Sequence, residues 1–435
     1  MSDNMRRELE GKRLLILGSC EDEISLVRRA QELGCYVIVT DYFTDPYRTP
    51  AKKIANEAWN DNWQDVDLIV RKCRDNKVDG VIAGYSEIKI DYLIRICEKL
   101  GVPCYSNGEQ LEITRDKIKF KNECRKNNVP VVNEYDSPQR VDKFPVIVKP
   151  VDRGGSIGIS VANNPIELKK AYQYAMDMSL TKQVIIEDFI YKGNKIDVYY
   201  AILDGQIILL GTGDTINAKN NGFERVVQSG WMLPSKYEKL IREKADLNLQ
   251  RMIQNMGIKN GFIFFSGFAD DEGYIAFFEC GFRMSGGHLY NYFREKGLPS
   301  FLDIFLFHSL TGSTLDLRKR INENPNMKCA VVNFYSKTGK IKDIKGIESI
   351  TTIPECKCSL IDGHVGEECD EDKAILSKIA MFYFCSESPK ILRKNVERTY
   401  QDFAIIGENG EDLIYDRMDT EQIEKWWEYE ERRNR

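Results

Sequence analysis

Nothing in this chain is both long and uninterruptedly apolar. No hydrophobic run approaches the ~20 residues that a membrane-crossing helix needs. The opening MSDNMRRELEGK is charged and lacks the apolar centre of a secretory signal. Positive charge is not in excess: 62 Lys and Arg against 67 Asp and Glu leave −5, which argues against binding nucleic acid through its phosphates. Internal repeats, low-complexity tracts and paired CxxC knuckles are missing too. The expectation is a cytoplasmic protein with neither membrane nor nucleic acid as partner. Its twelve cysteines are then thiols in a reducing compartment, many of them buried. Cys356, Cys358, Cys369 and Cys385, with His364 among them, leave structural zinc as the alternative, without the spacing that makes that reading strong.

What is present is ordinary globular material, 42% hydrophobic and 30% charged over 435 residues, enough for roughly two or three domains. KRLLILGSC is a short apolar strand ending in Gly18-Ser19. EDEISLVRRAQELG follows as a helix with Ile24, Val27, Ala30 and Leu33 on one face and Gly34 as its stop. CYVIVTDY, DVDLIVRKCRDNKVDGVIAGYSE and IDYLIRICEKLG continue the alternation, which predicts a parallel, doubly wound sheet. Ligands of such sheets sit beyond the carboxyl ends of the strands, here at Gly18-Ser19 and at Gly84, Ser86 and Glu87. One glycine in the first turn is too few for a dinucleotide fingerprint. Ser86 and Glu87 read equally as helix-cap residues and as ligand contacts, Glu87 being the substrate candidate of the two. From TRDKIKFKNECRKNN, read as a helix capped by Thr114, strands, hairpins and helices mix in an α+β pattern up to the turn-rich INENPNM. CAVVNFYSKTGKIKDIKGIESI then predicts two strands around a Thr338-Gly339 turn, and TEQIEKWWEYEERRNR a charged final helix.

Four stretches carry chemistry. In FPVIVKPVDRGGSIGISV, Val146 and Val148 share one strand face and Ile147 and Lys149 the other, with Pro150 ending the pairing. A lysine so placed is expected to snorkel outward. Gly154, Gly155, Ser156 and Gly158 follow in a loop whose N–H groups can approach an anion, so lysine and loop together suit a polyphosphate; an edge lysine beside a glycine hairpin is the plain reading. Lys117, beside Asp116, is a second lysine, otherwise part of a solvated helix face. In QVIIEDFIYKG, a strand runs into Glu187-Asp188-Phe189-Ile190, a crossing between lobes whose backbone could read an adenine edge. GFIFFSGFADDEGYIAFFECGFR predicts two apolar strands around Asp271-Glu272-Gly273 that aim acids at magnesium.

In this order, helix lysine, strand lysine with glycine loop, acidic crossing, then paired strands ending in Glu279 and Arg283, the chain resembles the ATP-grasp superfamily. The likeness is to its carboxylate–amine ligases, including the L-amino-acid ligases and carbamoyl-phosphate-synthase-like proteins. VIVKPVDRGGSIGIS and RDKIKF…VPVV carry the match, which covers nearly the whole chain. The resemblance implies mixed α/β and α+β architecture in three parts: a preATP-grasp domain over 1–110, a two-lobed ATP-grasp domain over 111–325 and a C-terminal subdomain over 326–435. It implies ATP and Mg2+ as cofactors, a small-molecule carboxylate and amine as substrates, and a homodimer as one assembly state. Lys117 and Lys149 would contact phosphates, under a loop from Gly154 to Gly158. Glu187 would meet the adenine amino group, the backbone of Asp188, Phe189 and Ile190 its ring edge, and Arg283 a phosphate or an acyl phosphate. Lys149 and Arg283 are the catalytic candidates. The implied reaction phosphorylates a carboxylate with ATP, then lets an amine displace the phosphate.

The pattern breaks in two places. Of three magnesium ligands expected from the paired strands, two positions hold Ser266 and Gly281, leaving Glu279 as metal ligand or as partner of Arg283. Lys195 stands where an acid often holds ribose, with Asp197 on the same face as its substitute. The Ser285-Gly286-Gly287 turn is the candidate for a substrate carboxylate. His288 reads as structural more readily than as catalytic. The polar GTGDTINAKNNGFERVVQSGWMLPS suggests a lid bearing Arg225. A nucleotide-binding module without catalysis, acting as sensor or assembly partner, is the alternative function.

Overall fold

A computed structural model describes residues 2–153, 157–190, 193–218, 227–370 and 378–433. Gly154, Gly155, Ser156 and Arg225, singled out above, lie outside the described residues. Four strands, β1 (Arg13–Leu17), β2 (Tyr36–Thr40), β3 (Glu57–Trp59) and β4 (Gly80–Ala83), form a parallel sheet in the order β3-β2-β1-β4. Leu14 to Leu17 and Val37 to Val39 are buried along their whole length, as expected for strands covered on both faces. The helix Glu21–Glu32 buries Leu26, Val27 and Ala30. Gly34 follows with φ +84°, the left-handed conformation that ends a helix and that glycine alone adopts without strain.

A small sheet comes next: β5 (Glu134–Tyr135), β6 (Val146–Pro150), β7 (Ser160–Ala162) and β8 (Val184–Asp188), ordered β5-β8-β6-β7. Val146, Val148 and Ile186 on one face pack with Leu168, Ala171 and Ala175 of the helix Pro165–Met178. The other face is left to Lys149. Pro150 ends the ladder only towards β7; towards β8 it still stands opposite Val184.

The chain then crosses into a large antiparallel sheet. Its strands are β9 (Asn194–Leu203), β10 (Gln206–Asn217), β11 (Gln228–Leu233), β12 (Gly261–Ala269), β13 (Ile275–Gly281) and β14 (Lys328–Tyr335). After β15 (Gly339–Lys345) come β16 (Cys356–Ile361), β17 (Glu368–Cys369), β18 (Lys378–Ser386) and β19 (Ala404–Gly407). The large sheet runs β13-β12-β9-β10-β11-β14-β18-β16, and β17-β15-β19 form a third small sheet. The all-round buried helix Phe301–Thr311 packs against β4, β12 and the helix Glu21–Glu32, joining the parallel sheet to the large one. The ion pair of Arg29 with Asp303, 2.6 Å, fastens the same junction.

One local expectation needs correction, and two others gain detail. The lysine helix spans Lys117–Lys126 and is capped by Asp116, which accepts from the N–H groups of Ile118 and Lys119. Thr114 belongs to the preceding helix, Gly108–Arg115, where its hydroxyl bonds back to the Gln110 carbonyl. The two strands expected around Thr338-Gly339 both form, and each finds partners elsewhere: β14 joins β11 and β18, β15 joins β17 and β19. Of the polar stretch suggested as a lid, the two ends are strand, Asp214–Asn217 of β10 pairing with Gln228–Met232 of β11, and residues 219–226 with Arg225 lie outside the described residues.

Candidate active site

The helix Lys117–Lys126 and the polar face of β6 and β8 meet around one buried carboxylate. Glu187 is 2% exposed; its Oε2 lies 2.7 Å from Lys149 Nζ and its Oε1 accepts from Lys121. Burial alone would raise its pKa, yet Lys149 and Lys121 outweigh burial and hold it below the usual carboxylate value. Lys149 is buried, contrary to the snorkelling expected of it, because Glu187 meets it inside. Lys117, one turn before Lys121, donates to the carbonyls of Arg153 (2.7 Å) and Val151 (3.5 Å), at the entrance to the glycine loop. Burial and then the neighbouring Lys149 push its pKa down, against an upward pull from Glu279, Glu87 and Glu187. Gly158 has φ +76° and sits so close to Pro150 that a Cβ would come within 2.6 Å of its ring. The N–H groups of Asp188 and Phe189 donate to the carbonyls of Asn133 and Pro145, so two of the backbone donors expected to read an adenine edge are engaged within the protein.

A second group lies across the large sheet. Ser266 of β12 stands opposite Asp197 of β9 on one side and Glu279 of β13 on the other. All three therefore share a face, and they line one cavity of about 160 Å³ with Lys195, Tyr199, Arg283 and the Ser285–Gly287 turn. Ser266 Oγ donates to Asp197 Oδ1. Glu279 makes no hydrogen bond or ion pair among the described residues. Arg283, its expected alternative partner, instead reaches Glu87 at 3.2 Å, with its guanidinium 5.4 Å from the Phe264 ring. Glu87 opens the helix Glu87–Leu100 beyond β4, so this pair ties the carboxyl end of the parallel sheet to β13. Gly281 faces the same phenylalanine: a Cβ there would fall 2.4 Å from the ring, leaving no room for a third ligand.

The Ser285–Gly287 turn is held from two sides. Tyr383 donates to the Gly287 carbonyl at 2.7 Å. His288, fully buried with φ +49°, lies 2.9 Å through Nε2 from Asp22. At Gly286 an added Cβ would meet nothing within 4 Å, so that face of the turn is open. The zinc alternative gains no support from geometry: no three metal-binding side chains cluster among the described residues. Cys369 sits in β17, in a different sheet from Cys356, Cys358 and Cys385. Nor is any helix of the described residues long and apolar enough to cross a membrane.

Residues 119–259 match the family model described as "D-ala D-ala ligase C-terminus". In overall structure the chain superposes on L-amino acid ligase from Bacillus licheniformis with a TM-score of 0.75, over 92% of this chain and 100% of that one, at 17% identity. The chain has the ATP-grasp fold. Phosphoribosylglycinamide synthetase from Anaerococcus prevotii gives a TM-score of 0.73 over the same shares, at 19% identity. At such identities the likeness is one of fold. In sequence, the formate-dependent phosphoribosylglycinamide formyltransferase of Prochlorococcus marinus (strain NATL1A) is 28% identical over 261 residues, 57% of this chain and 64% of that protein. The chain thus spans less than two thirds of the length of the curated relatives it matches first.

Within this ATP-grasp frame, the predicted Lys117, Lys149 and Glu187 converge on one group, and Asp197, Glu279, Arg283 and the Ser285–Gly287 turn on the other. Lys117 feels the charges of both Lys149 and Glu279. Lys121 was missed by sequence reasoning. Its signal was the i, i+4 spacing from Lys117, which places both lysines on one helix face. The fold implies a magnesium ion, and the donor set fits one: Asp197 and Glu279 offer hard oxygens on one face, and magnesium takes one or two carboxylates together with nucleotide phosphates.

Proposed function

We propose that this protein is an ATP-dependent carboxylate–amine ligase acting on an amino acid or small peptide. The observation that carries the proposal is the buried ion group of Lys121, Lys149 and Glu187 beneath the Val151–Arg153 carbonyls that hold Lys117, with Asp197 and Glu279 sharing a second cavity. Lys121 and Lys149 both pair with the buried carboxylate of Glu187, and Lys117 stands near enough to feel Lys149, a set of aimed ammonium groups that suits a polyphosphate. Lys117, Lys149 and the loop from Gly154 to Gly158 are the proposed phosphate contacts. Each Glu187 oxygen keeps a second lone pair for the adenine amino group, with the chain from Asp188 to Ile190 beside the ring.

In the proposed reaction a carboxylate oxygen bonds to the γ-phosphorus as the bond to ADP breaks. An amine nitrogen then attacks the acyl carbon, the C–O bond to phosphate breaks, and the amine gives up a proton. Arg283 compensates charge on the transferring phosphoryl group, and the open face of the Ser285–Gly287 turn holds the substrate carboxylate, with Glu87 at its rim. A magnesium ion held by Glu279 would neutralise phosphate charge. Division into nucleotide-binding, preATP-grasp and C-terminal parts at about 110 and 325 is part of the same proposal.

The test is ADP release from ATP and magnesium with pooled amino acids and small carboxylic acids. Pool-stimulated ADP is expected, and Glu279→Gln is expected to lower it by about 10². Intact nucleotide binding with no ADP release from any pool would instead favour the noncatalytic module.

A further inference from the structure

The two family positions that would complete the metal site with Glu279 are closed. Ser266 carries no charge, and the space beside Gly281 is filled by Phe264. The same row of the sheet holds a carboxylate one strand over. Asp197 stands directly opposite Ser266, which stands directly opposite Glu279, so all three point into one cavity. Asp197 is 6% exposed, accepts from Ser266 Oγ and is close enough to Tyr199 to influence its hydroxyl. Neither Asp197 nor Glu279 forms an ion pair among the described residues, although Lys195 and Arg283 line the same cavity and Arg283 is committed to Glu87. Two carboxylates on one face, one of them buried and neither in an ion pair among the described residues, suit a cation shared between them.

We infer that the acid missing from β12 has been relocated to β9, so that Asp197, oriented by Ser266, is the second metal ligand beside Glu279. This rests on the nucleotide-site reading above and changes the role first expected for Asp197, from ribose contact to metal ligand. The arrangement suits magnesium or manganese shared with nucleotide phosphates: two carboxylates, the rest of the shell supplied by phosphate oxygens and water. The hydrogen bond between Ser266 and Asp197 makes the relocation reversible in principle. Exchanging the two residues keeps a hydroxyl and a carboxylate facing each other across β9 and β12, and moves the charge back beside β13.

The experiment uses the full chain with ADP, reading Mn2+ binding by electron paramagnetic resonance and ADP binding in EDTA by calorimetry. Asp197→Ser is expected to weaken Mn2+ binding to the ADP complex by at least about tenfold, since even the loss of an outer partner of a metal ligand costs that much. The double variant Asp197→Ser/Ser266→Asp is expected to recover most of it. ADP binding in EDTA should persist in all three proteins, which shows that each is folded with its nucleotide site formed. Unchanged Mn2+ affinity in Asp197→Ser overturns the inference, as does a loss that the exchange does not recover. Failure of the unaltered protein to bind ADP in EDTA would instead strike at the nucleotide-site reading, and this inference would fall with it.

Discussion

Lys149→Ala is expected to reduce ATP turnover by about 10² to 10³, the range seen when one aimed donor to developing charge is removed. Lys149 is 5% exposed, and its ammonium lies 2.7 Å from Glu187 and 5.3 Å from the Phe278 ring, so it has little freedom to be replaced by a neighbour. A second readout follows from Lys117, whose pKa is lowered by burial and then by Lys149. A lysine binds phosphate while protonated, so metal-free nucleotide affinity should be highest below the Lys117 pKa and fall as pH rises through it. Removing Lys149 removes a repulsive charge and raises that pKa. The alkaline limb of ADP binding, followed by calorimetry, is therefore expected to move to higher pH in Lys149→Ala while overall affinity falls. A limb that stays in place would separate the two lysines and argue against a shared phosphate site.

The second large effect is on stability. Lys121 is fully buried, with its charge satisfied by Glu187 and, at 3.4 Å, by Glu134. Lys121→Met should cost about 3 kcal/mol, the low end for removing one partner of a buried pair, because Lys149 still faces Glu187. Lys121→Met/Glu187→Gln should cost less than Lys121→Met alone, since no carboxylate is then left short of charge. The sign of the pH dependence is fixed by Glu187. Its folded pKa lies below the ordinary value, so its contribution is present above the unfolded pKa and is lost as pH falls through the folded one. With Lys121 gone the folded pKa rises, and acid unfolding monitored by fluorescence should begin at higher pH. Equal midpoints in the two proteins would mean that Lys149 alone sets the Glu187 titration.

How much of this could be read from the chain depended on whether a residue's partners are local. The parallel sheet was legible because β1, β2 and β4 are short apolar runs separated by amphipathic helices, and burial follows that period. Lys149 stood out through its valine neighbours and the adjoining glycines. Its burial did not, because Glu187 lies 38 positions away along the chain and only the β6–β8 ladder brings them together. Lys121 hid among Lys117, Lys119 and Lys126 on one helix; which of them points inward is settled by docking against Glu187. Glu279 and Asp197 could be named individually, but their alignment through Ser266 depends on the registers of β9, β12 and β13, including a bulge after Ser266. The strands around Thr338-Gly339 show the same division: both were legible as strands, while their partners, β11 and β18 for β14 and β17 and β19 for β15, lie far away along the chain.

One pairing also bears on how such a chain could be re-engineered. Gly230 to Leu233 of β11 run against Cys329 to Val332 of β14, so the backbone ladder is continuous from the carboxylate row to the strands that follow residue 328. At Gly230 the fit is tight: an added Cβ would fall 2.0 Å from the Val331 carbonyl. From the other side, Trp426 of the helix Glu421–Arg433 donates to Asp214 of β10, a buried carboxyl pushed up to about 6 by its surroundings, and Trp427 donates to the Pro234 carbonyl. A chimera that replaces the chain from β14 onward with that of a relative would therefore have to match strand register, the glycine at the seam and both indole anchors. On the proposed function, substrate preference is better transplanted through the open face of the Ser285–Gly287 turn at Gly286, where added side-chain atoms meet nothing within 4 Å.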